Sequence, residues 1–152
     1  MVALESFAKV LHFLHLVAGV TSLAACTHLL VRLLRRRHDA RVRTHAAVLG
    51  VAYLSTYAFG ALMYPTFRVR VRAELLDRVY PWATGLFEIK EHAASLVLVP
   101  VAGVFLLSRA LDPKSDADRH HYVLLGGLAT VVFLVLVFNA CVGWYLGTLR
   151  SV

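Results

Sequence analysis

Four long stretches of the chain consist mostly of apolar residues, and polar residues gather between them. The stretches cover residues 7–31, 45–65, 85–108 and 122–147. At about 1.5 Å per residue, each can cross a hydrocarbon core of roughly 30 Å as an α-helix. Because the connections are short, successive helices should be antiparallel neighbours. The pattern predicts an all-α integral membrane protein, a four-helix up-down-up-down transmembrane bundle, with residues 1–152 as a single transmembrane domain.

Breaker and capping residues divide these stretches further. Pro65 is expected to end the second span, and Pro100 to kink the third. Residues 66–84 should form a loop, and Asp118 should cap the last helix.

The first span also holds a short match to a processing signal. Leu23-Ala-Ala-Cys26 has the form of a bacterial lipoprotein cleavage box, but the apolar run continues to Val31, so we expect the first helix to be retained. Cys26 and Cys141 fall in different spans at different depths. Two buried thiols are therefore expected rather than a disulfide.

The composition supports a membrane protein. Hydrophobic residues make up 59% of the chain and charged residues 16%, whereas about a quarter of the residues in a soluble domain are charged. The net charge is +7, but the arginines lie in the connections beside apolar stretches. This placement favours lipid headgroups as their partners, and we expect no nucleic-acid binding.

The basic residues also predict an orientation. The middle connection holds four of them, Arg68, Arg70, Arg72 and Arg78. The first and third connections together hold nine: Arg32, Arg35, Arg36, Arg37, Arg41, Arg43, Arg109, Lys114 and Arg119. The positive-inside rule then places the first and third connections in the cytoplasm and both termini outside it, and we expect the bacterial inner membrane.

The third span begins with charged residues at membrane depth. Its clean apolar run, residues 93–107, would be only about 22 Å long, so the helix must include the preceding polar turn to span the bilayer. On a helix of 3.6 residues per turn, Glu88, Glu91, His92 and Ser95 share a face. Lys90 points elsewhere and should snorkel to the interface.

Polar residues of the other spans fall at a similar depth. They are His12 and His15 of the first, Tyr57 and Tyr64 of the second, and Asn139 of the fourth. Polar faces of membrane helices usually turn toward one another. The sequence therefore predicts a polar pocket in the outer leaflet, with the Glu88–His92 turn as one of its walls.

A b-type haem is the preferred content of that pocket. Imidazole is a standard axial ligand, and helical bundles hold such cofactors between facing helices. His92 would ligate the iron from one side and His15 or His12 from the other. Glu88 and Glu91 would support the ligands or handle protons.

Four further residues, Tyr57, Tyr64, Ser95 and Asn139, are candidate hydrogen-bonding neighbours of the predicted site. In its helix-borne histidines and four-span architecture the chain resembles the haem-bearing anchor subunits of quinone-linked dehydrogenases. This resemblance implies electron transfer with a quinone or a redox partner protein.

Three alternatives stay open. A non-haem iron, copper or zinc ion could be held by His12, His15, Glu88, Glu91 and His92, although the Glu-x-x-His pairs of di-iron bundles are absent. The same groups could exchange protons in a coupled transporter. The turn could also simply lie among the headgroups of a structural or accessory subunit. No motif decides whether the protein is an enzyme or a homo-oligomer.

A second, looser group of histidines is predicted at the opposite end of the bundle. Its members are His28, His38, His45, His120 and His121. His28 lies roughly 140–160° around the first helix from His12 and His15, so it does not share their face. A solvated interface is the simpler interpretation, and no function is assigned to the group.

Overall fold

The chain is described here by a computed structural model covering residues 2–36, 39–112, 115 and 118–149, with side chains from residue 7 onward except at 119. The helices are α1 (Val2–Leu34), α2 (Ala40–Phe67), a π-helical segment (Arg68–Leu76), α3 (Asp77–Val79), α4 (Pro81–Leu96), α5 (Leu98–Ala110) and α6 (Arg119–Thr148). They form four helical stretches long and apolar enough to cross a membrane: Phe7–Leu34, Ala40–Val79, Pro81–Ala110 and His120–Thr148. The predicted all-α, four-span bundle is confirmed.

The predicted loop over residues 66–84 was wrong, because this region is almost entirely helical. Pro65 lies inside α2, and the chain continues past it when the Arg68 N–H donates to the carbonyls of Tyr64 and Pro65. The helix instead breaks at Tyr80, whose backbone (φ −131°, ψ 64°) is not helical. Pro81 follows as the first residue of α4. A proline disfavours the helical conformation in the residue before it and suits the first helical position, so Pro81 is the effective breaker.

The third span is interrupted, as Pro100 predicted. Val97 (φ −75°, ψ −8°) separates α4 from α5. Proline cannot donate to the carbonyl four residues earlier, here that of Leu96, and its ring crowds that carbonyl. The interruption therefore falls just before Pro100.

The four spans pack as a ring. α1 packs against α2 and α6, and α5 packs against the same two helices, while α4 packs against α6. We call the end where α1 leads into α2 and α5 leads into α6 the loop end, and the opposite end the terminal end. The main buried cluster lies toward the loop end, in residues 25–29, 42–53, 97–111 and 122–136.

Much of the outer surface is apolar. Phe13, Leu62, Leu96 and Val99 are each more than 60% exposed. Contiguous exposed apolar surface on this scale is incompatible with water and suits a hydrocarbon solvent. The protein is an integral membrane protein in contact with the lipid bilayer.

Polar contacts fasten the loop end. Asp39 caps α2 by accepting the Arg41 N–H at 3.0 Å, and its other oxygen pairs with Arg32 at 2.7 Å. Arg43 donates to the Leu111 carbonyl at 2.8 Å and so ties α2 to the end of α5.

Two smaller sequence-based expectations are modified. Asp118 directly precedes α6, but its carboxylate accepts the N–H of Asp112 at 2.9 Å rather than capping the helix. Both cysteines are free, and Cys26 is buried as expected, whereas Cys141 is exposed.

Candidate functional site

The rotation of α4 places Lys90 toward the bundle. Its Cε lies 3.6 Å from the position that a Cβ would occupy on Gly143 of α6. Its ammonium stands 5.5 Å from the centroid of the Phe87 ring, one turn nearer the terminal end. The predicted outward direction of Lys90 was therefore wrong. Since Cα–Cβ bonds tilt toward the helix N-terminus, the lysine stem can run up along α6 and carry its charge toward the interface from inside the bundle.

His92 points away from the bundle. Its side chain is exposed and lines an open hollow of about 580 Å³. All the lining residues belong to α4: Gly85, Glu88, Ile89, His92, Ala93 and Leu96. The sequence-based assignment of His92 to an inward face is thus corrected: the ring looks outward, across a largely apolar helix surface.

The imidazole of His92 is nevertheless held in one orientation. Its Nδ1 lies 2.7 Å from the carbonyl oxygen of Glu88, so Nδ1 carries the hydrogen and donates it. In the neutral ring Nε2 is then left with a free lone pair. The ring lies ten residues beyond Trp82, or about 15 Å along the helix. Trp82 packs with Tyr145 in an aromatic pair typical of the membrane interface, and His92 lies within the membrane-spanning stretch Pro81–Ala110.

His15 occupies the contact between α1 and α2. Its Nδ1 is 2.8 Å from the Thr56 carbonyl, to which it donates, and its Cε1 is 3.3 Å from the Cβ position of Gly60. Lys90 and His12 are the charged or ionisable side chains that act on it electrostatically. His12 itself is exposed on the surface of α1.

Glu88 is engaged by a basic residue of the π-helical segment. Arg72 Nη2 donates to Glu88 Oε1 at 2.6 Å, and Arg72 Nε lies 3.6 Å from Asp77. Tyr64 and Glu91 both lie close enough to interact with the Arg72 side chain. Three of the predicted site residues therefore surround one arginine, which the sequence analysis had assigned to a loop.

A polar seam joins α2 to α4. The hydroxyls of Tyr57 and Ser95 are 3.1 Å apart and share a hydrogen bond, while Ser95 also donates to the Glu91 carbonyl at 3.0 Å. The buried Tyr53, which was not named among the predicted site residues, donates to the Ala94 carbonyl at 2.7 Å. The spacing of Tyr53 and Tyr57, one turn apart on α2, was the available signal.

Asn139 is the polar residue of α6. Its Oδ1 is buried and, among the described atoms, finds no hydrogen-bond donor. Buried amide oxygens are nearly always paired, so this one marks a point where an added donor would be favourable.

The predicted pocket is only partly assembled. His15 faces α2, and His92 faces away from the bundle, so the two rings do not enclose one cavity. Within residues 2–36, 39–112, 115 and 118–149, no three His, Cys, Asp or Glu side chains are grouped so that they could hold a metal ion. The ligand roles of His12, His15, Glu88, Glu91 and His92 stay predictions.

At the loop end, two members of the second histidine group do meet. The rings of His28 and His45 have centroids 5.6 Å apart. With Val31, Arg32 and Arg35 they line a hollow of about 140 Å³. His121 lies 3.7 Å from Asp118, His120 is exposed, and His38 lies outside the described residues.

No protein-family model matches this chain, and no curated protein or solved structure is significantly similar to it. The chemistry of its own residues must therefore carry the functional interpretation.

Proposed function

We propose that this protein is a membrane electron-transfer subunit that holds a haem b through His92. One observation carries the proposal: an oriented imidazole within a membrane-spanning stretch looks out of the bundle from an apolar hollow. A polar ring facing lipid tails loses its hydration without compensation. A ligand bound at Nε2 would supply the missing partner.

The hydrogen bonding of His92 suits an axial ligand. Metal-bound histidines commonly donate their other ring N–H to a carbonyl, which fixes the ring and leaves one nitrogen for the metal. The Glu88 carbonyl supplies that acceptor. Ile89, Ala93 and Leu96 offer apolar surface to a macrocycle, and Gly85 has no described atom within 4 Å of its Cβ position.

The hollow has only one wall, since every lining residue is on α4. We infer that a second chain completes it, either a redox partner or another copy of this protein, and that this chain supplies the second axial ligand. In the orientation favoured by the arginine distribution, with both termini outside the inner membrane, the haem would lie in the outer leaflet. A quinone is the electron carrier that matches this location.

A non-haem metal is less well supported by the arrangement. It would need carboxylate ligands beside His92, and the carboxylate that lines the same hollow, Glu88, is paired with Arg72 at 2.6 Å. Recruiting Glu88 to a metal would break that ion pair, and the Arg72 guanidinium would lose the Glu88 carboxylate as a partner.

A proton-coupled pathway is the second candidate. Asp77, Arg72 and Glu88 form a connected chain at the terminal end. Lys90 and His15 continue the series of ionisable groups into the bundle. Such residues inside membrane proteins often mark proton routes.

The haem proposal is tested with protein purified from haem-replete cells in a mild detergent. A Soret band that shifts on reduction by dithionite is expected. His92→Ala should abolish the band, while His121→Ala, a matched exposed histidine at the other end, should retain it. Colourless wild-type protein without bound iron would refute haem and leave the proton pathway, to be tested by proton uptake in vesicles, or a structural role.

A band that survives His92→Ala would show that the ligand is elsewhere. His15→Ala and His12→Ala would then be measured in the same way, because these residues carry the other predicted ligands.

A further inference from the structure

The hollow at the loop end has the chemistry of an anion site. His28, Val31 and Arg32 line it from α1, Arg35 from the turn that follows α1, and His45 from α2. We propose that it binds the phosphate of an anionic phospholipid headgroup. The proposal is independent of the haem, since the site lies at the other end of the bundle and shares no residue with the His92 hollow.

One of the two arginines of the hollow, Arg32, is held in place by an ion pair. Arg32 is only 16% exposed and donates to Asp39 at 2.7 Å. That bond uses one of the five N–H donors of a guanidinium, so others remain for a phosphate. Asp39 is the opposing charge here, but it is already occupied by Arg32 and by the Arg41 N–H. Arg35 is exposed and adds a second cation.

The two imidazoles complete the wall. His45 Nδ1 donates to the Arg41 carbonyl at 2.6 Å, which fixes the ring. His28 stands beside it at a centroid distance of 5.6 Å and an interplanar angle of 46°. Because His45 Nδ1 already donates to the Arg41 carbonyl, its Nε2 can donate to a phosphate oxygen when the ring is protonated, whereas His28 can donate through a ring N–H in either state.

The size of the hollow fits a headgroup phosphate. Its volume of about 140 Å³ compares with the roughly 150 Å³ cavity that admits a benzene ring. Basic pockets between membrane helices on the cytoplasmic side commonly take anionic headgroups. The two arginines would disfavour a cation at the same place.

The surroundings favour a lipid over a free phosphate ion. Val31, an apolar residue, lines the hollow itself. Toward the bilayer centre, the same face of α1 continues with Ala24, Thr21 and Val17, all exposed. An acyl chain can lie along this exposed face while its phosphate is held at the helix end.

The test uses purified protein in detergent and native mass spectrometry with added phosphatidylglycerol or phosphatidylcholine. Wild-type protein should bind phosphatidylglycerol preferentially. Arg35→Gln should weaken this binding about fivefold, since one basic residue near the membrane surface contributes roughly 1 kcal/mol. Arg41→Gln is the matched control, because it removes the same charge from the same end but does not line the hollow.

Several outcomes would overturn the proposal. Equal weakening by Arg41→Gln would indicate only a diffuse surface potential. Equal binding of the two lipids would exclude an anionic headgroup site. If millimolar inorganic phosphate displaced bound phosphatidylglycerol as effectively as added phosphatidylglycerol does, the hollow would be a site for a phosphate ion and not for a lipid. Should Arg35→Gln fail to fold, His28→Gln replaces it, with weaker phosphatidylglycerol binding again expected.

Discussion

The contact between His15 and Gly60 gives a sharp test of how α1 and α2 pack. In Gly60→Ala the new methyl carbon would lie 3.3 Å from His15 Cε1 and 3.4 Å from its Nδ1. The ring must retreat by a few tenths of an ångström. The Nδ1–Thr56 hydrogen bond, now 2.8 Å, would then lengthen to about 3.1 Å, near the upper limit of an ordinary bond.

Two opposing effects set the magnitude. Replacing glycine by alanine within a helix stabilises it by about 1 kcal/mol. Crowding the ring costs about 1 kcal/mol, at the low end for an overpacked contact. Gly60→Ala should therefore change the free energy of unfolding by close to zero. In a His15→Ala background the crowding is absent, so the same substitution should stabilise the protein by about 1 kcal/mol.

A double-mutant cycle in detergent micelles, followed by the loss of helical circular dichroism on denaturation, measures this coupling. Gly126→Ala is the matched control, because no described atom lies within 4 Å of its Cβ position. It should stabilise the protein equally whether residue 15 is histidine or alanine. If Gly60→Ala stabilises the wild-type chain as much as Gly126→Ala does, His15 does not pack on Gly60 and the assignment of its ring to this contact is wrong.

Two further predictions concern α4. Tyr53→Phe removes the hydrogen bond to the Ala94 carbonyl and should destabilise the protein by roughly 0.6–1.5 kcal/mol. Tyr57→Phe should have a smaller effect, because Tyr57 is more exposed. Equal losses in the free energy of unfolding would contradict a buried hydrogen bond at Tyr53. In a cysteine-free background, a spin label attached through His92→Cys should be relaxed strongly by membrane-dissolved oxygen, and one attached through Lys90→Cys much less. The reverse order would show that α4 is rotated as the sequence pattern had suggested.

The four spans were predictable because the apolar stretches are long and the charges lie between them. Apolar helices of this length are stable in a lipid bilayer and not in water. The break near Pro100 was predictable for the same local reason that any proline breaks a helix. The prediction that Pro65 ends the second span was wrong, because a long helix can tolerate one missing backbone N–H. Pro81, by contrast, disfavours the helical conformation at Tyr80, and the helix ends there.

The rotation of α4 could not be predicted from its own sequence. Periodicity gives the angles between residues of one helix but not the direction in which the helix faces. Here that direction depends on Gly143 of α6, which makes room for the Lys90 stem. The expectation that the more polar face turns inward holds for Ser95, which bonds to Tyr57 of α2, but not for His92. Lys90 turns inward instead, because a lysine can bury its methylenes and keep its charge near the interface.

His28 and His45 were predicted only as members of one loose group at this end of the bundle, and the contact between their rings was not predicted. The first was judged only by its angle to His12 and His15, which correctly separates it from them. Its real neighbour is on α2, reached because the chain reverses at the left-handed Arg36 (φ 52°) and brings the start of α2 beside the end of α1.

The uneven core has a consequence for how the bundle opens. The buried cluster that holds the helices together is confined to residues nearer the loop end, whereas His15, Lys90 and Asn139 lie toward the terminal end. Local opening draws on the least-packed parts of a structure. Amide hydrogen exchange should therefore be fastest near the terminal end and slowest near the loop end, because the helices separate first at the terminal end. A cofactor or partner bound at the terminal end would hold the helices together there and raise the free energy of unfolding by RT ln(1 + L/Kd), where L is its free concentration.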